Sequence, residues 1–159
     1  MNELIENLLA LLKTQFSTTF KFYNYGRVEV SGQSSLPAIY VSPISTVVSN
    51  SGTVKDENNF TISVVVLDSF KRYLNNITGE GEIIRAMQQL VEWVEDRDTD
   101  GSVKDASIMA VIRQNITTSG AVLFNNEITV NYEDFLVADE MPTVRATLTF
   151  TAQSRSNRL

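Results

Sequence analysis

The stretch Thr143–Ala152, TVRATLTFTA, alternates apolar and polar residues along its whole length. The apolar residues occupy every second position: Val144, Ala146, Leu148, Phe150 and Ala152. The positions between them hold threonine, with Arg145 as the one exception. Successive side chains of a β-strand point to opposite faces, so this pattern predicts a long strand with one face in the core and one polar, threonine-rich face.

Two segments upstream have the periodicity of amphipathic helices. In the first, Asn2–Phe16, the apolar stripe contains Leu4, Ile5, Leu8, Leu9, Leu12 and Phe16. In the second, Gly81–Glu95, the apolar face contains Ile83, Ile84, Met87, Leu90, Val91 and Val94. Trp93 lies at the flank of that face, a position that is more typical of a core edge than of a ligand platform.

The remaining apolar segments predict further strands. Ala38–Ser42 and Ile44–Ser49 are β-branched runs divided by Pro43, which indicates a bend or a strand at a sheet edge. Phe60–Asp68, FTISVVVLD, predicts a strand buried at least partly on both faces. Shorter candidates are Phe20–Tyr23, Arg27–Ser31, Ala121–Phe124 and Ile128–Tyr132.

Together these elements predict one α+β domain over residues 1–159, a mostly antiparallel β-sheet flanked by two amphipathic α-helices. The chain has 159 residues, 43% of them hydrophobic, which is enough to bury a sizeable core. Ser49–Asn59 is expected to be a long polar loop, and residues 153–159 a flexible C-terminal tail. Ala106–Arg113 is compatible with either a strand or a short helix.

Composition excludes several kinds of chemistry. The chain has no cysteine, which rules out disulfides and thiolate nucleophiles, and no histidine, which rules out a Ser-His-Asp triad and the usual zinc sites. A net charge of −6 opposes binding to nucleic-acid phosphates. No apolar run approaches the roughly 20 residues of a membrane-spanning helix.

The N-terminal residues and the glycines bear on where the chain is made and on whether it binds a nucleotide cofactor. Asn2 and Glu3 stand where a secretory leader would have basic residues, so synthesis in the cytoplasm is expected. Gly79 and Gly81 precede a helix but lack the third glycine of a dinucleotide-binding fingerprint, and no cofactor is expected. We therefore do not expect an enzyme.

An acidic turn at residues 94–107, VEDRDTDGSVKDAS, begins like a calcium-binding loop. Asp96, Asp98 and Asp100 would take ligand positions 1, 3 and 5, with the required glycine, Gly101, at position 6. Position 12, which normally supplies a bidentate glutamate, is Ser107. We therefore predict a structural turn. A weak calcium site with the three aspartates as ligands stays open as the alternative.

The order of elements carries more information than any single motif. A helix leads through short strands to LPAIYVSPIS (residues 36–45), a polar segment, a hydrophobic strand ending in Leu67 and Asp68, a second helix and finally TVRATLTFTA. In this pattern the chain resembles the small tail-terminator proteins of tailed bacteriophages, also called tail-completion or neck proteins. The resemblance covers most of the chain and includes no catalytic signature. The acidic turn at residues 96–105 departs from it.

The resemblance implies a structural protein of the virion, assembled in the cytoplasm of the host bacterium. The expected assembly is a ring of this chain, commonly a hexamer, that caps the finished tail tube and presents a surface to the head–tail connector. Neither a membrane nor a specific nucleic-acid sequence is an expected partner. Two alternatives stay open: another neck or tail subunit, such as a head-closure or tail-tube protein, and a calcium-dependent binding module.

The predicted contact residues lie on surfaces that the core does not need. A hairpin loop usually has 2–5 residues, and extra loop length often serves binding. From the polar segment we expect contacts through Ser49, Ser51, Thr53, Lys55 and Asp56. From the polar face of the last strand and the basic tail we expect contacts through Arg145, Thr147, Thr149, Arg155 and Arg158. Their partners would be neighbouring subunits, the tail tube or the connector.

Overall fold

The computed structural model describes residues 2–28, 35–50, 55–69, 80–115, 117–118, 121–137 and 141–157. Over these residues the chain forms three helices and a six-stranded sheet, which confirms the predicted α+β class. The helices are α1 Asn2–Gln15, α2 Glu80–Glu95 and α3 Ile108–Gln114. The strands are β1 Phe22–Tyr25, β2 Ala38–Asn50, β3 Lys55–Ser69, β4 Thr117–Thr118, β5 Ala121–Val137 and β6 Met141–Asn157. Within the described ranges no helix is long and apolar enough to cross a membrane.

The sheet has the strand order β1-β2-β3-β6-β5-β4. β1 runs parallel to β2, and every other neighbouring pair is antiparallel. β6 contains the stretch TVRATLTFTA and pairs with β3 from Lys55↔Asn157 to Ser69↔Thr143. On its other side β6 pairs with β5, so the clearest strand in the sequence lies at the centre of the sheet.

The three helices cover one face of this sheet and form the main core with it. Leu8 of α1, Leu90 of α2 and Ile112 of α3 are fully buried in that core. The apolar positions of β6 are buried on the same face, which confirms the predicted alternation: Val144, Ala146, Leu148, Phe150 and Ala152. Burying one large apolar side chain contributes roughly 1.5–3 kcal/mol, so this face accounts for much of the stability.

A smaller apolar cluster covers part of the opposite face of the sheet. It contains Leu36, Ala38, Tyr40, Val65 and Leu67, with Val28 packed against them. Residues of β3 from Ile62 onward are therefore buried on both faces, as the sequence predicted. This second cluster lies over β2 and β3, and on the same face of the sheet Thr129, Asn131 and Glu133 of β5 are exposed.

The helices differ from the prediction in one detail, and the structure decides one assignment that the sequence left open. Ile84 and Val91 of α2 were expected to face the core but are exposed, because the sheet contacts a narrower stripe of the helix that contains Ala86, Leu90 and Val94. The ambiguous segment after the acidic turn is the helix α3. Trp93 is half-buried at the core edge, as predicted, with its ring centroid 5.0 Å from that of Phe20.

The predicted loop at Ser49–Asn59 and the predicted tail at residues 153–159 were wrong over most of their length. β2 continues to Asn50, β3 already begins at Lys55, and the pairs Ser49↔Glu57 and Asn50↔Asp56 join them. Residues 153–157 belong to β6 and pair with residues 55–59. The physical reason is that polar side chains pair across these strands, so a polar and charged composition does not require a loop.

The other strand predictions were partly correct. β2 passes through Pro43 with a register shift between Pro43 and Ser45, which matches the expected bend. The two predicted strands at Ala121–Phe124 and Ile128–Tyr132 form one strand, β5, with an irregularity between Phe124 and Thr129. Arg27 and Val28 belong to no strand, and the rest of the predicted strand Arg27–Ser31 lies outside the described residues.

Candidate functional site

The ends of β2, β3 and β6 continue past the part of the sheet that the helices cover. Phe60 and Ala152 pair with each other and are core residues, and Thr46 pairs with Phe60 on the other side. Past the row formed by Thr46, Phe60 and Ala152, the three strands continue as a ribbon that we call the arm. The arm consists of residues 47–50, 55–59 and 153–157. Among the described residues, neither apolar cluster includes one from the arm. At 3.3–3.4 Å per residue, its strands extend about 17 Å beyond the core.

Polar contacts between strands hold the arm together. The amide of Gln153 in β6 donates to the carboxylate of Glu57 and, at 3.1 Å, to the side-chain oxygen of Asn59 in β3. The hydroxyl of Ser49 in β2 donates to the carbonyl oxygen of Glu57 at 3.5 Å. These contacts tie the three strands to one another beyond the core, so the arm is an ordered extension of the sheet.

The outer edge of β2 is open along the arm. β1 pairs only with Ala38–Val41, and within the described ranges no strand pairs with residues 42–50 on that side. We call residues 42–50 the free edge. Their sequence, SPISTVVSN, has no charged residue, and Ile44, Val47 and Val48 are 56%, 59% and 58% exposed.

The free edge lacks most of the features that keep strand edges from associating. Natural proteins usually protect an exposed edge with charged residues, prolines, bulges or a covering element. Here Pro43 and the bulge that follows it stand at the start of the edge, and Ser45–Asn50 continues with no charged residue, no proline and, among the residues that the structure describes, no covering strand. Exposed backbone hydrogen-bonding groups beside exposed apolar side chains are the features of a surface that pairs with another chain.

The predicted contact residues on the sheet fall in a second place. Arg145 forms an ion pair with Glu133 across β5 and β6. Thr147 lies between Val65 and Asn131 in the register, and Thr149 lies between Ser63 and Thr129. All three predicted residues are half-buried on the face opposite the helices, near the middle of β6. They form a polar sheet face that is separate from the arm.

The structure brings only some of the predicted contact residues together. Ser49, Lys55 and Asp56 lie in the arm, and Arg155 lies there opposite Glu57 in the register. Three predicted residues fall outside the described ranges: Ser51, Thr53 and Arg158. The sequence reasoning missed the apolar residues of the free edge, Ile44, Val47 and Val48. The signal that could have identified them is a β-branched run with no charge beside a proline.

The acidic turn is a small hairpin. The N–H of Gly101 donates to the carbonyl oxygen of Asp98 at 2.9 Å, and the N–H of Asp98 donates to the carbonyl oxygen of Ser102 at 2.9 Å. Gly101 has a φ of +86°, a conformation that glycine adopts without strain. A turn followed by a left-handed glycine is a common way to close a short hairpin.

Protein donors engage two of the three candidate calcium ligands. The Lys104 ammonium lies 2.8 Å from a carboxylate oxygen of Asp96, and the Ser102 hydroxyl and N–H donate to the Asp100 carboxylate at 2.6 and 2.9 Å. The bonds from Ser102 lower the pKa of Asp100. At position 12 of the loop, the Ser107 hydroxyl accepts from the N–H of Ala110 and caps α3. In the described part of the chain, no three potential metal ligands cluster. These contacts support the structural interpretation.

Calcium is therefore expected to leave the thermal midpoint of unfolding unchanged within error. The Lys104 ammonium occupies the position beside Asp96 that a cation would take, and Ser107 offers no closing carboxylate. Thermal denaturation with a chelator and with millimolar calcium measures the effect. A rise in the midpoint with calcium that Asp98→Ala abolishes would show that the turn binds the ion.

A hydrogen bond ties the end of α2 to β5. The Tyr132 hydroxyl donates to one carboxylate oxygen of Glu95 at 2.7 Å, and Arg97 donates to the other at 2.9 Å. Burial raises the pKa of Tyr132, and the bond to the Glu95 carboxylate raises it further. The contact fixes which side of α2 faces β5.

We expect Tyr132→Phe to lower the free energy of unfolding by about 1–2 kcal/mol at neutral pH, the contribution of a partly buried hydrogen bond to a charged group. The folded-state pKa of Tyr132 lies above the unfolded value of ~10, so the protonated hydroxyl contributes fully below pH ~10. Above that pH the contribution declines. Urea denaturation of both proteins from neutral pH to above pH ~10 should show a constant difference that then shrinks. A difference that stays constant throughout would contradict this assignment.

The fold and the site together define an α+β protein with an unprotected strand edge on a protruding arm. A comparison with protein-family models and with curated proteins gives no match.

Proposed function

We propose that this protein is a bacteriophage tail terminator, a structural subunit of the virion. It forms a closed ring, commonly of six copies, that caps the completed tail tube and joins it to the head–tail connector. The role requires binding surfaces and no catalysis. The observation that carries the proposal is the arm with its free edge.

Electrostatics favours the free edge as the place where copies meet. Each chain has a net charge of −6, so two copies repel each other wherever acidic surfaces approach. Residues 42–50 carry no charge, and their exposed valines and isoleucine offer apolar area for burial. Contact along this edge therefore combines little repulsion with backbone pairing and apolar burial.

Ring closure requires a contact between two unlike surfaces of the same chain. The free edge is at the β2 side of the sheet. The opposite side is β5, which pairs with β4 only at Ala121 and Val122 and has no second strand partner along the rest of its outer edge within the described ranges. A head-to-tail contact joins the free edge of one copy to the β5 side of the next copy. Once the ring closes, no such edge is left open.

The polar sheet face gives the ring a second surface. Arg145, Thr147 and Thr149 lie on it away from the arm, so they remain available when the arm is engaged in the ring. In the proposed role this face contacts the tail tube or the connector. A tail-tube subunit, the main alternative, would instead stack ring upon ring without limit.

The test uses the phage that encodes the chain. A stop codon after Ala152 removes residues 153–159, which include the third strand of the arm at 153–157, but keeps both apolar clusters. We expect the purified variant to melt near the wild-type midpoint, while the phage makes overlong tails or tails that do not join heads. A chain that ends at Asn157 keeps the arm and is the matched control. Normal tails and normal infectivity from the Ala152 variant would refute the proposal.

A further inference from the structure

The exposed large apolar residues of the described chain fall in two groups. The first is on the β1–β2 side of the sheet and contains Phe22, Tyr25, Ile44, Val47 and Val48. The second is on α2 and contains Ile84, 55% exposed, and Val91, 38% exposed. With Ile83 and Met87 these two residues line a shallow groove of about 670 Å³, in which Glu92 is the one charged residue. We call Ile84 and Val91, with the groove beside them, the α2 stripe.

The α2 stripe lies on the flank of α2 that is turned toward β5, away from the free edge on β2. Ile84, Val91 and Glu95 are spaced seven and four residues apart, so they lie on one side of the helix. Glu95 accepts the hydrogen bond from Tyr132, which places that side toward β5. The other flank of α2 carries Trp93, whose ring packs on Phe20 next to α1. α2 itself lies over β3 and β6, so the α2 stripe is on the β5 side of the central strands, whereas the first exposed group is on β1 and β2.

Val47 and Val48 present opposite faces of the arm. Thr46 pairs with Phe60, whose side chain belongs to the core on the helix side of the sheet. Because side chains alternate along a strand, Val48 is on the helix side and Val47 on the opposite side. Val48 pairs with Asn58 and Val47 with Asn59, so each valine extends one face of the sheet beyond the core.

We infer that the arm of one copy docks on the α2 stripe of a neighbouring copy, with Val48 packed against Ile84 and Val91. The inference rests on the proposed ring and names the partner of the free edge as a second copy of this chain. Both surfaces lie on the helix side of the sheet, so a head-to-tail arrangement brings them together without turning one copy over.

Charge and size support this pairing. The free edge has no charge and the groove has one, so the contact avoids the repulsion expected between two chains of net charge −6. From Ile84 to Val91 the helix rises about 10 Å, which corresponds to about three residues of a strand. The stripe is thus long enough to cover Val48 and its immediate neighbours.

Engineered cysteines test the contact because the chain has no cysteine of its own. The variant carries Val48→Cys and Val91→Cys, two exposed positions, one on the arm and one on α2. Under mild oxidation we expect disulfides between copies and a ladder of covalent oligomers on a non-reducing gel, ending at the ring number. The matched control carries Val47→Cys and Val91→Cys. Val47 is as exposed as Val48 but on the other face, so its cross-linking should be at least ~10-fold weaker.

The outcomes separate this inference from the proposed function. Rings by native mass spectrometry with efficient Val48–Val91 cross-links support both. Rings in which the Val48 pair cross-links no better than the Val47 pair overturn the docking inference and leave the ring intact. A further variant carries Val48→Cys as its single cysteine. Covalent dimers of that variant would mean a two-fold contact between two arms and would also overturn the docking inference. The absence of rings at every protein concentration would refute the proposed function itself.

Discussion

Replacement of Val47 and Val48 by aspartate is expected to abolish ring formation and leave a folded monomer. Burial of an unpaired carboxylate costs several kcal/mol, and each ring contact would bury the one at position 48 while the one at position 47 adds a charge to the same strand edge. Both valines are more than half exposed and belong to neither apolar cluster, so the core keeps its packing. We expect the thermal midpoint to stay within ~2 °C of wild type, since surface changes of this kind usually cost little stability.

The control for charge is the double variant Ser17→Asp and Thr18→Asp. These neighbouring residues are exposed in the turn after α1, and the variant gains the same two negative charges. Sedimentation velocity of the three proteins at equal concentration measures the assembly. Rings in the Val47 and Val48 variant would contradict the role of the free edge. Loss of rings in the control as well would mean that net charge alone prevents assembly.

Leu148→Ala is expected to lower the free energy of unfolding by about 2–5 kcal/mol, the usual range for a buried leucine that leaves a cavity. Leu148 is fully buried in the main core at the centre of β6. Thr149→Ala, one residue further on the polar face, should cost less than ~1 kcal/mol because its side chain is half-buried and leaves no apolar cavity. Urea denaturation of the two variants compares the faces directly. Equal losses would mean that β6 does not have one buried and one polar face.

The sequence was sufficient for the elements that bury a regular apolar pattern. β6 was predictable because its apolar residues recur with a period of two, and α1 because Leu4, Leu8 and Leu12 recur with the helical period. In each case the residues that set the pattern are also the residues that pack in the core. Local pattern and tertiary environment therefore agree.

The arm was not predictable, because its local pattern and its tertiary environment disagree. Residues 55–59, KDENN, have low strand propensity and read as a loop, yet they pair with β2 and β6 on both sides. Cross-strand contacts such as that of Gln153 with Glu57 stabilise them, and these depend on a segment almost one hundred residues away in the sequence. A pattern within one short segment does not contain that information.

The exposed apolar residues also show that a local sequence pattern does not specify the tertiary environment. Ile44, Val47 and Val48 have the composition of a core strand, and Ile84 and Val91 continue the apolar face of α2. Composition predicts that such residues are buried, but it does not specify whether the covering surface belongs to the same chain. Only the position of the helices on the sheet reveals that these five residues are left exposed.

Native mass spectrometry of the purified protein over a range of concentrations tests the closed ring most directly. We expect one assembled species with about six times the mass of the chain, and no larger species as the concentration rises, because a closed ring leaves no free edge for a further copy. The proportion of monomer should fall as that species appears. A stable dimer that never grows, or a series of masses that lengthens with concentration, would contradict a closed head-to-tail ring.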